Sequence, residues 1–399
     1  MSVWADLVGQ ESVVRSLSAV TEAAADVVSP RPGRDGVQLA AAAPGEGAMT
    51  HAWLFTGPPG SGRSIAARSF AAALQCLRLG CGHCGACHQA IAGTHADVDL
   101  LRTDLLSIGV GETRELVRRA ALSPAGSRWQ IIVMEDADRL TEAAGNVLLK
   151  AIEEPAPRTV WMLCAPSLED VLPTVRSRCR HVRLRTPPTQ AVAEVLVRRD
   201  GVEPEMAAFA ARAAQGHIGR ARRLATDELA RLHRQEVLKL PLSLVDAGSC
   251  VTAAANLVDA ADEEAKQVTG QLDARETESL RTALGAGTRG RAPAGLAGAV
   301  KELEARQKKR ATRLRRDAVD RALIDLATFY RDVLTLQLEA RVDLTNGEFR
   351  PAVERAARSS TAEATLRRLE AVLACREAID ANVAPLLAVE AMTLALALG

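Results

Sequence analysis

One stretch, Phe55-Thr56-Gly57-Pro58-Pro59-Gly60-Ser61-Gly62-Arg63-Ser64, constrains the fold of this chain more than any other. The apolar run Trp53-Leu54-Phe55 leads into it, as a buried parallel strand would, and Ile65, Ala66, Ala67 and Phe70 continue past it as a helix. Gly57 to Ser64 fits the phosphate loop G-x-x-x-x-G-K-[ST] at every fixed position but one. Glycines in such a loop let backbone N–H groups crowd round phosphate oxygens, and the following helix adds its positive N-terminal end. Gly57, Pro58, Pro59, Gly60, Ser61, Gly62, Arg63 and Ser64 are therefore the candidate nucleotide-binding residues. The exception is Arg63, where lysine is expected. An ammonium is a compact point charge and a guanidinium is a planar fork, so the exchange is not conservative. The stretch reads as a nucleotide-binding loop with its key cation altered.

Downstream, strand-like and helix-like segments alternate. Asp97-Val98-Asp99-Leu100-Leu101, Gln130 to Met134, Thr159 to Cys164 and His181 to Leu184 are short apolar or β-branched runs. Helical patterns lie between them at Thr113–Leu122, Thr141–Ile152 and Asp170–Val175. That order implies a parallel sheet covered by helices on both faces, an α/β domain. Gln130 to Met134 ends in Glu135-Asp136, and acids at the carboxyl end of a buried strand after a phosphate loop are where Mg²⁺ and an attacking water are managed. Glu135 and Asp136 are candidate catalytic residues, in the reverse of the usual Asp-Glu order; the plainer alternative is an N-cap cluster for the next helix.

Cys76-x4-Cys81-x2-Cys84-x2-Cys87 places four thiols, with turn-forming Gly80, Gly82 and Gly85, in a spacing suited to tetrahedral Zn²⁺. Four thiolates suffice without His83, His88 or His95, and leave no open position, so the site reads as structural. No apolar run approaches membrane-spanning length and the N-terminus has no signal-peptide core, which predicts a cytoplasmic protein in which clustered cysteines bind metal. Lys+Arg 50 against Asp+Glu 49 gives a net charge of +1, so no global charge draws the chain to nucleic acid or membrane.

Trp4 to Gln10 leads into an amphipathic helix carrying Val13, Val14, Leu17 and Val20, and residues from about Asp26 to Met49 read as a loop insertion. Beyond Pro187-Pro188 the pattern becomes helical, with Gly216-His217-Ile218-Gly219 opening a third helix. Residues 248–298, rich in Ala and Gly with scattered charge, predict an irregular insert. Lys308, Lys309, Arg310, Arg313, Arg315 and Arg316 read as a solvated helix face, with nucleic-acid contact as the alternative. Val319, Leu323, Leu326, Tyr330 and Val333 mark one face of a long helix.

Over residues 1–230 the chain resembles bacterial clamp-loader subunits of the AAA+ superfamily, the delta-prime subunits of DNA polymerase III in particular. The resemblance rests on the phosphate loop, the inserted four-cysteine module, Asn146 to Pro155, and Arg176-Ser177-Arg178-Cys179, which is similar to that family's Ser-Arg-Cys motif. It implies an AAA+ RecA-like domain over 1–186 with a zinc module at 76–87, a small helical lid over 187–235, and an all-α collar over 236–399. It further implies that Arg178 acts as an arginine finger on a neighbouring subunit's ATP. Its implied partners are the gamma/tau and delta subunits, the sliding clamp and primer-template DNA. Motor subunits of that family keep the loop lysine, the Asp-Glu order and a lid arginine; here stand Arg63, Glu135-Asp136 and Gly219, with Arg220 adjacent. The expectation is ATP and Mg²⁺ binding that is weak or without hydrolysis. The alternatives are an active motor subunit of the same loader and a zinc-dependent nucleic-acid-binding module.

Overall fold

The computed structural model describes residues 2–28, 49–103, 105–126, 128–283 and 296–398. They divide into two compact units, one of residues 1–103 and 107–225, the other of 104–106 and 226–399. The greater part of the expected insertion between Asp26 and Met49 lies outside the described residues; its first residues close a helix instead.

The first unit is built on five parallel strands: β1 (Ala52–Thr56), β2 (Val98–Leu101), β3 (Gln130–Met134), β4 (Thr159–Ala165) and β5 (Arg180–Arg183). Their order across the sheet is β2-β3-β4-β1-β5. β1, β3 and β4 are buried along their whole length, which is why they read as continuous apolar runs. Among the described residues these α-helices accompany them: α1 (Glu11–Val28), α2 (Arg63–Gln75), α3 (Gly85–Ala92), α4 (Val110–Ala120), α5 (Glu142–Glu153), α6 (Pro173–Arg176), α7 (Thr189–Asp200), α8 (Pro204–Ala214) and α9 (Ile218–Thr226). Successive strand residues serve opposite faces. Trp53, Ile131 and Met162 pack with Leu17, Val20 and Phe70 from α1 and α2. Leu54, Ile132 and Trp161 pack with Leu116, Leu148 and Ile152 from α4 and α5. The Trp53 and Phe70 rings meet edge-on at 5.1 Å. With β1 between β4 and β5, the loop that leaves it sits at the carboxyl edge of the sheet, one strand away from the acids that follow β3.

The second unit is helical: α10 (Glu228–Ser243), α11 (Ala247–Ala283), α12 (Leu296–Gln337), α13 (Arg350–Ser359), α14 (Ala362–Asp380) and α15 (Pro385–Leu398). Its core gathers Leu238, Val319, Leu323, Phe329, Val333, Val372 and Val389. The irregular insert expected over 248–298 is corrected here. Residues 247–283 are the helix α11, α12 begins at Leu296, and 284–295 lie outside the described residues. Alanine is the strongest helix former, and Ala254, Leu257, Val258, Ala261 and Ala265 recur at three- and four-residue steps on a buried face. The basic run on α12 is answered by α11: Arg310 pairs with Asp273 and Glu276, and Arg315 reaches Asp262 at 3.3 Å. Those arginines hold the helix pair together, while Lys308 and Lys309 remain exposed. A second buried ionic group joins α10 to α12 and the turn after it, through Arg234 with Asp325 at 3.1 Å, Glu348 at 2.6 Å and Asn346.

Candidate functional site: phosphate loop, acids and thiol cluster

The loop between β1 and α2 has the backbone its sequence requires. Gly60 at φ +85° and Gly62 at φ +92° occupy the left-handed region that glycine tolerates without strain. A Cβ on Gly60 would lie 2.3 Å from the Cα of His217, so the start of α9 rests directly on the loop. His217 also accepts the Arg220 N–H through Nδ1 at 3.2 Å, capping that helix. From the other side Gln10, 2% exposed, donates through Nε2 to the carbonyls of Ser61 at 3.2 Å and Arg185 at 2.6 Å. Its Oε1 accepts the Arg185 N–H at 3.2 Å. The Ser61 hydroxyl is buried with no hydrogen-bond partner among the described residues. A left-handed glycine cradle at a helix N-terminus, with an orphaned hydroxyl inside it, fits a phosphate group.

Arg63 is the first residue of α2 and turns back on its own loop, where Nη1 donates to the Gly57 carbonyl at 2.7 Å. Burial pulls its guanidinium below the ordinary value, opposed by Cys164 and by the carboxylates of Asp138, Asp136 and Asp170. The acids after β3 are engaged as well. Glu135, its side chain 6% exposed, accepts from Arg68 Nε at 2.6 Å. Asp136 Oδ2 accepts the Thr103 N–H at 3.1 Å, and Oδ1 lies 3.9 Å from Arg139. Burial raises the Asp138 carboxyl above the usual carboxylate range. Neither Glu135 nor Asp136 caps the next helix: Thr141 does, accepting from the Ala144 N–H at 3.3 Å.

At the far end of α2, the Sγ atoms of Cys76, Cys81, Cys84 and Cys87 all lie within 4.8 Å of one another. The Cys76–Cys81 and Cys76–Cys84 separations are 3.7 Å, close to the roughly 3.8 Å edge of a tetrahedron with Zn–S bonds of about 2.3 Å. Burial pushes the Cys76 thiol up, but the backbone amides of Cys81, Gly80 and Arg78 outweigh it and bring it to about 6. Burial and the neighbouring sulfurs Cys84 and Cys76 push Cys87 up, as expected for thiols crowded together without a shared cation. The three nearby histidines turn to other partners: His83 Nδ1 pairs with the Cys81 carbonyl, His88 Nε2 with that of Gly82, and His95 Nδ1 accepts the Asp97 N–H. The cluster can hold one metal ion with thiolates alone. It is tied into the core by Val3, whose N–H donates to the Gly80 carbonyl at 3.1 Å.

Arg178 lies in the exposed turn between α6 and β5. Its Nε donates to Glu153 Oε1 at 2.6 Å and its Nη1 to the Thr174 carbonyl at 2.7 Å. Glu153 closes α5 within the Asn146–Pro155 stretch, so two motifs distant in sequence meet in one ion pair. Sequence reasoning missed the roles of Glu153, Arg68, Gln10 and His217. Only the glycines flanking His217 signalled a tight approach.

A five-stranded parallel sheet with a phosphate loop leaving β1 and an acid pair leaving β3 has the layout of a phosphate-loop α/β domain. Comparison with known proteins is more specific. Residues 37–188 match the family model described as DNA polymerase III, delta subunit. The gamma/tau subunit of Mycobacterium tuberculosis is 32% identical over 200 residues, 49% of this chain and 31% of that protein. The delta-prime subunit of Pseudomonas aeruginosa is 34% identical over 166 residues, 40% of this chain and 51% of its own length. Among solved structures, RuvB of Thermotoga maritima is 18% identical, with a TM-score of 0.37 over 58% of this chain and 63% of that one. The chain thus spans from about a third to half the length of these curated relatives. Through this region it is similar to DNA polymerase III clamp-loader subunits.

Proposed function

We propose that this chain is the delta-prime, or stator, subunit of a DNA polymerase III clamp loader. In this reading it joins gamma/tau and delta subunits in a ring that opens the sliding clamp and places it on primer-template DNA in the cytoplasm. The four cysteines hold a structural zinc. Arg178, exposed beside a helix end, reaches the neighbour's ATP, where a fixed guanidinium stabilises charge spreading over the γ-phosphoryl oxygens. The chain itself binds nucleotide with little or no hydrolysis. The observation that carries this reading is the 2.7 Å bond from Arg63 to the Gly57 carbonyl, which fixes the loop's cation to its own backbone so that it cannot follow a transferring phosphoryl group.

The second reading, an active motor subunit, is favoured by one observation: the gamma/tau match extends over 49% of the chain against 40% for delta-prime. The pure chain, assayed for ATP turnover with primed DNA, separates the two. Negligible turnover is expected. Robust DNA-stimulated hydrolysis abolished by Arg63→Ala would establish a motor instead.

A further inference from the structure

Mg²⁺ beside a loop-bound nucleotide requires near-octahedral oxygen ligands, commonly one or two carboxylates with phosphate oxygens and water. Three carboxylates near the loop, those of Glu135, Asp136 and Asp170, are engaged by other groups of the chain. Glu135 is paired with Arg68 at 2.6 Å inside a site where its side chain is 6% exposed. Drawing it to a metal would leave Arg68, 28% exposed, with only the Ile91 carbonyl at 3.4 Å among its bonds described here. Asp136 accepts the amide of Thr103, a residue 4% exposed. Asp170 accepts the Ser167 N–H at 2.9 Å. What remains is Asp138, whose charged form burial disfavours, and the neutral Ser64 hydroxyl.

The same pocket already contains a fixed cation. Arg63 is tethered to the Gly57 carbonyl at the loop's entrance and has the carboxylates of Asp138, Asp136 and Asp170 in its field. The phosphate cradle itself, with left-handed Gly60 and Gly62 and the orphaned Ser61 hydroxyl, is intact.

We propose that this loop takes a nucleoside di- or triphosphate as the metal-free anion, with the Arg63 guanidinium supplying the positive charge that a divalent cation supplies in other phosphate-loop sites. The inference rests on the reading of the loop as a nucleotide site. It also gives that reading a cause for weak hydrolysis, since no metal is present to orient the γ-phosphate or an attacking water.

Full-length, zinc-loaded chain is titrated with fluorescent ADP and ATP analogues in magnesium-free buffer and in buffer with excess Mg²⁺; chelators that strip the thiol cluster are avoided. The two dissociation constants are expected to agree within about twofold, while Arg63→Ala weakens metal-free binding by about tenfold or more. Electron paramagnetic resonance with Mn²⁺ as probe is expected to show no ion held by the nucleotide-saturated chain beyond that held by nucleotide alone. Arg68→Gln releases Glu135, and Mg²⁺ is then expected to tighten binding by about tenfold. Wild-type binding that requires Mg²⁺, or a protein-bound Mn²⁺ signal, overturns the inference and leaves the nucleotide reading standing. Binding in neither buffer by folded, zinc-loaded chain overturns the nucleotide reading and the inference with it.

Discussion

The two ends of α2 treat their polar groups in opposite ways. At its C-terminal end four like groups, the thiols, converge within 4.8 Å of one another. At its N-terminal end Arg63, Glu135 and Asp136 each have a partner from the chain itself. Convergent like groups are costly until a cation joins them, so the thiol cluster is a site that folding and metal binding complete together. Paired opposite groups are stable without a ligand. A phosphate loop arranged in that way keeps its shape whether or not chemistry occurs.

That contrast can be broken at either end. The largest effect is expected at the thiols: Cys84→Ser should lower zinc from one per chain to nearly none by elemental analysis, and thermal unfolding should shift downward, since metal binding contributes on the order of 10 kcal/mol to small thiolate modules. Loss of zinc without a change in unfolding would show that the module's packing is independent of its metal. Next comes Gly60→Val, which forces a branched side chain to φ +85° and against His217. It should cost about 1–3 kcal/mol in denaturant unfolding from the backbone strain alone and abolish nucleotide binding. Unchanged binding would mean the loop is looser than its packing implies. The smallest effect is expected from Glu153→Gln, which releases Arg178 from a half-exposed pair and should change stability by less than about 1 kcal/mol. A larger loss would give the Arg178–Glu153 pair a structural role.

Much of the sheet unit was legible because its signals are local. The buried strands are continuous apolar runs, the phosphate loop is a contiguous motif, and the cysteines lie within one turn-rich segment. What escaped was non-local. Arg68 and Glu135 are 67 residues apart, Arg178 and Glu153 are 25 apart, and nothing in their spacing announces either pair. The Glu135-Asp136 inversion was visible, but its consequence depended on Arg68, which reads as an ordinary surface position of a helix. α11 was misread for a different reason: its alanines carry a weak apolar pattern, and the charges between them became intelligible only once Arg310 and Arg315 met Asp273, Glu276 and Asp262. The basic run, taken alone, suggested a solvent face or a nucleic-acid contact because its acidic counterpart lies on another helix.

The central claim is that this chain acts on a neighbour's nucleotide through Arg178 while its own loop contributes no hydrolysis. The most direct test assembles a complete loader with gamma/tau and delta subunits and compares Arg178→Ala with Arg63→Ala in the same clamp- and DNA-stimulated ATPase assay. Both variants should enter the ring. The account predicts that Arg178→Ala lowers ATPase at least tenfold, an arginine finger contributing about 10³–10⁵ in favourable systems, while Arg63→Ala leaves it within about twofold. The reverse pattern, a rate that falls with Arg63 and is indifferent to Arg178, would contradict it.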